Sequence, residues 1–165
     1  MLKPKTSLTT ESKMKSQKIQ RWEVVALVAT RDRTKLLRSR SLKSILRQSH
    51  KPSRIVIVDD SRKHASQEEV RATVQELQQG GYCTDLLKNR RTPGASGTWN
   101  SGLDHIRRQY KDPTMIYVAF LDDDDSWCPS HIKQCLKTAL SKELDVVATS
   151  FKRVTDNGLE KVIEP

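Results

Sequence analysis

The sequence predicts an α/β fold, an open and mostly parallel sheet with helices on both faces. Three observations predict it. Apolar, largely β-branched runs alternate along the chain with stretches of helical periodicity. The runs lack polar alternation, as strands buried on both faces do, and the connections are long enough to hold a crossover helix. With 165 residues, 35% apolar and 30% charged, the chain is long enough for one compact domain with a real core but not for two full domains.

Each element has its own signal. Glu23–Thr30 reads as a strand, because Val24, Val25, Ala26, Leu27 and Val28 follow one another without a break. Thr34–Gln48 reads as a helix, with Leu36, Leu37, Leu42, Ile45 and Leu46 at roughly helical spacing and Pro52 beyond its end. Arg54–Asp59 supplies Ile55 to Val58 for a second strand, and Gln67–Gln79 a helix stopped by Gly80-Gly81. Tyr82–Leu87 is a weaker strand. A Gly-containing loop from Asn89 to Gly97 leads into a helix ending near Gln109. Met115–Leu121 is a fourth strand, Pro129–Ser141 a helix, and Leu144–Phe151 a fifth strand. Asp156-Asn157-Gly158 signals a turn into a strand at Lys161–Ile163.

Charge is unevenly distributed. The chain carries a net +10, and residues 1–21 alone hold Lys3, Lys5, Lys13, Lys15, Lys18 and Arg21 against Glu11. This Ser/Thr/Lys-rich leader reads as a disordered basic tail ahead of a domain over 22–165. It lacks the apolar core of a secretory signal, and no run approaches the ~20 residues of a spanning helix, so the cytoplasm is the expected compartment. Cys83, Cys128 and Cys135 form no pair at metal-ligand spacing and are expected to be reduced thiols.

In a parallel α/β sheet, ligands bind beyond the carboxyl ends of the strands. The first strand ends in Thr30-Arg31-Asp32-Arg33, the second in Asp59-Asp60-Ser61 and the fourth in Asp122-Asp123-Asp124-Asp125. Acidic groups thus gather at one sheet edge of a basic chain. Adjacent carboxylates repel one another, and a divalent ion relieves this. Oxygen-only ligands suit Mg²⁺ or Mn²⁺.

These blocks, together with Gly97-Thr98-Trp99-Asn100-Ser101-Gly102-Leu103 and the Trp127 and Pro129 that follow the acidic run, resemble in order and spacing the nucleotide-sugar half of family 2 glycosyltransferases. The resemblance covers about residues 22–165 and implies a Rossmann-like GT-A fold, short at its C-terminal side. It implies metal-dependent, inverting hexosyl transfer from a nucleotide-sugar, a UDP-sugar in the first instance, to an unknown acceptor. It casts Asp60 as the acceptor of a hydrogen bond from the base and Thr30 as a shaper of the same pocket. Asp122 and Asp124 become the Asp-x-Asp pair, with Asp122 nearer the ribose and Asp124 on the metal. Asp123, Arg31 and either Arg90 or Arg91 join the nucleotide-sugar contacts, while Asn100 and Gly102 belong to the helix beneath the donor. Three positions depart from the family pattern. Arg31 replaces an aromatic residue, Asp32 an Asn and Ser61 a Gly, and an Arg guanidinium can lie flat on a base in place of a ring.

Other features have plainer readings. His50, His64, His105 and His131 form no cluster and are expected at the surface. Trp99 and Trp127 suit core packing as well as ligand contact. The alternative function is a non-catalytic nucleotide- or polyanion-binding module, favoured by nine basic residues against one Asp over Arg31–Arg54. Those residues lie mostly on one helix face without aromatic stacking partners, so specific nucleic-acid binding is not expected. No catalytic base is identified. Glu143, Asp145, Asp156, Glu160 and Glu164 match no base motif, which predicts a donor-binding portion that is either a truncated chain or one that borrows its acceptor site from a partner chain or oligomer.

Overall fold

A computed structural model describes residues 22–110, 112–155, 158 and 160–164. The basic leader and the turn residues Asp156 and Asn157 lie outside these. The chain divides into two units, one through Lys133 and one from Gln134 onward.

The first unit is built on a parallel sheet of β1 (Glu23–Thr30), β2 (Arg54–Asp59), β3 (Thr84–Lys88) and β4 (Ile116–Asp122), in the order β3-β2-β1-β4. β1 occupies an interior position, and every residue after Glu23 in it is buried, which is why its sequence has no polar alternation. Successive side chains take opposite faces. Ala26, Val28, Ile55 and Ile57 point to one core and Val25, Leu27, Val56 and Val58 to the other. Each buried Val, Leu and Ile side chain among these contributes about 1.5–3 kcal/mol.

Two helices cover the first face. Thr34–Leu36, a π-helical stretch Leu37–Leu42 and Lys43–Leu46 run on as one helix, α1. The π turn has a sequence cause, because Leu37 and Leu42, five residues apart, both enter the core and the wider turn stacks them. α2 (His64–Gln79) adds Val70, Val74 and Leu77 to the same core. α3 (Ala95–Gln109) covers the opposite face through Trp99, Leu103 and Ile106. Gly102 permits this packing. A Cβ there would lie 2.3 Å from Leu27 Cδ1, so only glycine lets α3 approach β1.

α4 (His131–Lys142) begins in the first unit and continues into the second, where β5 (Phe151–Val154) and β6 (Glu160–Ile163) form a two-stranded antiparallel sheet. The expected fifth strand at Leu144–Phe151 is corrected here. Residues 144–150 form no strand, and Val146 is 79% exposed, so these apolar residues gain no burial from pairing. Phe151 instead opens a hairpin, since a connection this short can join only antiparallel strands. The other predicted elements are present with ends shifted by a few residues, where caps rather than periodicity decide.

Candidate functional site

The strand order places a topological switch at the carboxyl ends of β1 and β4. The chain runs outward through β1, β2 and β3 and then returns to pair β4 with the other side of β1. Ligand crevices form at such points. The register sets Thr30 opposite Asp59, Asp59 opposite Lys88 and Ala29 opposite Asp122, so the acidic groups stand side by side at one edge.

β4 delivers the four aspartates to different surroundings. Asp123 is fully buried. Its Oδ2 accepts from the Thr30 hydroxyl at 2.8 Å, from the Arg31 N–H at 3.3 Å and from Arg33 Nε at 3.3 Å. Arg33 then spans two carboxylates, with Nη2 2.6 Å from Asp123 Oδ1 and Nη1 2.6 Å from Asp124 Oδ2. Arg40, in the π-helical stretch of α1, donates to the main-chain carbonyl of Asp124 at 2.9 Å. Asp123 therefore ties the end of β1 to the acidic loop, and the Thr30 hydroxyl is committed to that tie.

Carboxylate oxygens of Asp122, Asp124 and Asp125 lie within 4.8 Å of one another. Burial raises the carboxyl of Asp122 above its ordinary value, and the charges of Asp125, Asp124 and Asp123 raise it further. Asp125 is raised by burial and then by Asp124. Negative charge here exceeds what Arg33 and Arg40 compensate. Closely spaced oxygens with uncompensated charge fit a hard divalent cation.

The second carboxylate centre is Asp60. Its Oδ1 accepts from Asn89 Nδ2 at 2.9 Å and its Oδ2 from the Gly94 N–H at 2.8 Å, with Arg31 Nη1 3.5 Å from Oδ2. Asn89 in turn accepts from the Ser101 hydroxyl and the Arg91 N–H. Asp60 thus anchors the loop between β3 and α3 while retaining acceptor capacity on both oxygens. Arg91 is held by Asp104 through Nε at 3.0 Å and Nη2 at 2.6 Å. Arg90 is exposed, and its side chain has no partner among the described residues.

Asp32 and Ser61 complement each other. The Asp32 N–H donates to the Ser61 hydroxyl at 2.9 Å, and the Asp32 carboxylate accepts from the N–H groups of Lys63 and Arg62. The hydrogen bond from Lys63 is the main cause of the lowered Asp32 carboxyl. Together these residues lock the turn after β1 to the turn after β2.

Trp99 and Trp127 both pack against cores, Trp99 edge-on to Phe120 and Trp127 stacked on His131. Asn100 is exposed. None of the histidines is buried, and His50, His105 and His131 are half-buried rather than fully at the surface. His64 alone is exposed, whereas His105 Nε2 lies 2.9 Å from Asp85 Oδ2 and burial lowers His131. Sequence reasoning placed Asp125 in the acidic run but gave it no ligand role of its own, whereas it joins Asp122 and Asp124 in the cluster. That reasoning missed Asn89 and the bridging reach of Arg33, which only the folded loops reveal.

Comparison with known proteins follows the same lines. Residues 26–163 match the model of glycosyl transferase family 2. An uncharacterized glycosyltransferase from Nostoc sp. is 30% identical over 128 residues, covering 76% of this chain and 35% of that protein. Similar folds occur in S. aureus TarS 1-349 in complex with UDP, at 20% identity and TM-score 0.59, covering 83% of this chain and 38% of that one. A mannosyltransferase from Pyrobaculum calidifontis in complex with GDP-Man and Mn²⁺ has 20% identity and TM-score 0.54, covering 81% and 36%. The chain thus spans little more than a third of the length of each.

Proposed function

Because the chain belongs to glycosyl transferase family 2, we propose that it binds a nucleotide-sugar, a UDP-sugar in the first instance, across the carboxyl edge of its parallel sheet. It then serves as the donor-binding portion of a metal-dependent, inverting sugar transfer. The observation that carries this reading is the adjacency of two carboxylate centres, Asp60 and the Asp122-Asp124-Asp125 group, at the switch point of an otherwise basic chain. TarS 1-349 in complex with UDP and the mannosyltransferase with GDP-Man and Mn²⁺ support it by analogy of fold.

Asp60 accepts a hydrogen bond from the base, with Arg31 beside it to stack on or bond the ring. Asp122, Asp124 and Asp125 would hold Mg²⁺ or Mn²⁺, which supplies Lewis-acid stabilisation of the departing diphosphate. Asp123, through Thr30 and Arg33, fixes the loop that presents those three. Arg90 is free to reach a phosphate. The acceptor and the base that deprotonates it come from a further segment or partner chain. Among the described residues no helix is long and apolar enough to cross a membrane.

Calorimetric titration with UDP and GDP tests the reading. Binding is expected with Mn²⁺ and not with EDTA, and Asp124→Ala is expected to abolish the metal-dependent part. Equal affinity in both conditions overturns it.

A further inference from the structure

Among the described residues, Arg33 is the cation that touches the acidic loop by its carboxylates. Its guanidinium reaches the buried Asp123 through Nη2 and the half-exposed Asp124 through Nη1, each at 2.6 Å. The two contacts differ in kind. Asp123 is 0% exposed and needs its partner, since a buried carboxylate without a counter-charge is costly. Asp124 has 38% of its side chain in solvent and can exchange one partner for another cheaply.

Resting on the reading of Asp122, Asp124 and Asp125 as a cation site, we propose that Arg33 is a built-in competitor for that site. Its Nη1 arm occupies Asp124 until a divalent cation displaces it. Its Nη2 arm stays on Asp123 throughout. Arg33 is a positioning residue in this scheme. It screens the loop from its own repulsion when no cation is bound, and it sets how readily a cation enters. Arg40 serves as the natural comparison, because it carries an equal charge nearby but bonds the main-chain carbonyl of Asp124 and leaves the carboxylate alone.

The test measures Mn²⁺ alone, without nucleotide, through the electron paramagnetic resonance signal of the free ion, on the full chain. Arg33→Lys keeps the charge for Asp123 but cannot span both carboxylates, because an ammonium lacks the planar fork. It is expected to bind Mn²⁺ roughly two- to fivefold tighter than the native chain, the ratio set by losing an exposed ion pair. A general loss of positive charge cannot account for tightening in this variant. Unchanged or weaker binding by folded Arg33→Lys overturns the proposal.

Should Arg33→Lys fail to fold, the double variant Asp123→Asn with Arg33→Gln removes the buried charge together with its partner. It is expected to bind Mn²⁺ tighter than Asp123→Asn alone, by a larger factor than Arg40→Gln adds to the native chain. An equal or smaller factor overturns the proposal. Asp124→Asn separates the two levels of failure. Where the native chain binds Mn²⁺ no better than Asp124→Asn, the cation site itself falls and the proposal with it. Where the native chain does bind better yet Arg33 has no effect, the competitor role alone falls.

Discussion

At the scale of single residues, the aspartates of this chain share one chemistry and are divided by surroundings. Asp60 anchors the loop through Asn89 and Gly94. Asp60→Ala is expected to weaken nucleotide binding by about 1–3 kcal/mol, the range for losing a charged hydrogen-bond partner, while metal dependence persists. Calorimetry checks it, and normal binding by a folded variant reduces Asp60 to a turn residue. Asp122 has the opposite character, because burial and its acidic neighbours raise its carboxyl. A raised carboxyl contributes stability below the ordinary carboxylate range and loses it as pH rises through the raised value. In EDTA at pH 7, Asp122→Asn is therefore expected to melt about 1–3 °C above the native chain, a small shift because solvent screens a partly exposed group. The gap should close near pH 3 in the same buffer series. A native chain as stable as the variant at pH 7 contradicts this account. The sequence made the acidic edge legible because four aspartates end one apolar run. It could not sort them, since the partition of Asp123 from its neighbours depends on Thr30 and Arg33, some ninety residues away.

At the scale of elements, the sheet was legible wherever burial on both faces removed polar alternation, as in β1 and β2. The parallel order followed from the helices between strands. The π turn in α1 was not legible, because Leu36, Leu37, Leu42, Ile45 and Leu46 fit ordinary helical spacing nearly as well. The fifth strand failed for a different reason, since Leu144 to Ser150 has strand composition but pairs with no strand and leaves Val146 exposed. Close packing between α3 and the sheet occurs at Gly102, where a Cβ would also approach Val58 Cγ2 at 3.1 Å. Gly102→Ala is expected to destabilise the chain by about 1–3 kcal/mol from overpacking, less up to about 1 kcal/mol of gained helix propensity. Chemical denaturation reads the difference directly. An unaltered midpoint would mean that α3 shifts away from β1 at little cost.

At the scale of the whole molecule, charge and catalysis separate. The chain has a net charge of +10, yet its candidate site is its most acidic region. On the proposed reading, a nucleoside diphosphate would be drawn toward the molecule and then repelled by the site unless a cation is present. Chemistry requires one thing more, a base within hydrogen-bond reach of the acceptor hydroxyl. Of the carboxylates that the fold brings to the sheet edge, Asp123 is engaged by Arg33, Asp60 by its loop and Asp59 by the Ser61 N–H, and Asp122, Asp124 and Asp125 form the proposed cation site. In the second unit, Glu160 pairs with Lys152 and Glu164 accepts from the Ser150 hydroxyl, while Glu143 and Asp145 are exposed and Asp156 lies outside the described residues. The chain also spans only 35% of the Nostoc glycosyltransferase that it resembles. The 165-residue chain is therefore expected to bind a nucleotide-sugar with Mn²⁺ while releasing nucleoside diphosphate at near-background rates from a panel of donors with mixed acceptors. Adding a longer family member's remaining segment in trans should raise the rate. Robust multiple turnover by the purified chain alone would instead identify one of the late carboxylates as the base, and Asp156→Asn and Glu160→Gln are the variants that would decide between them.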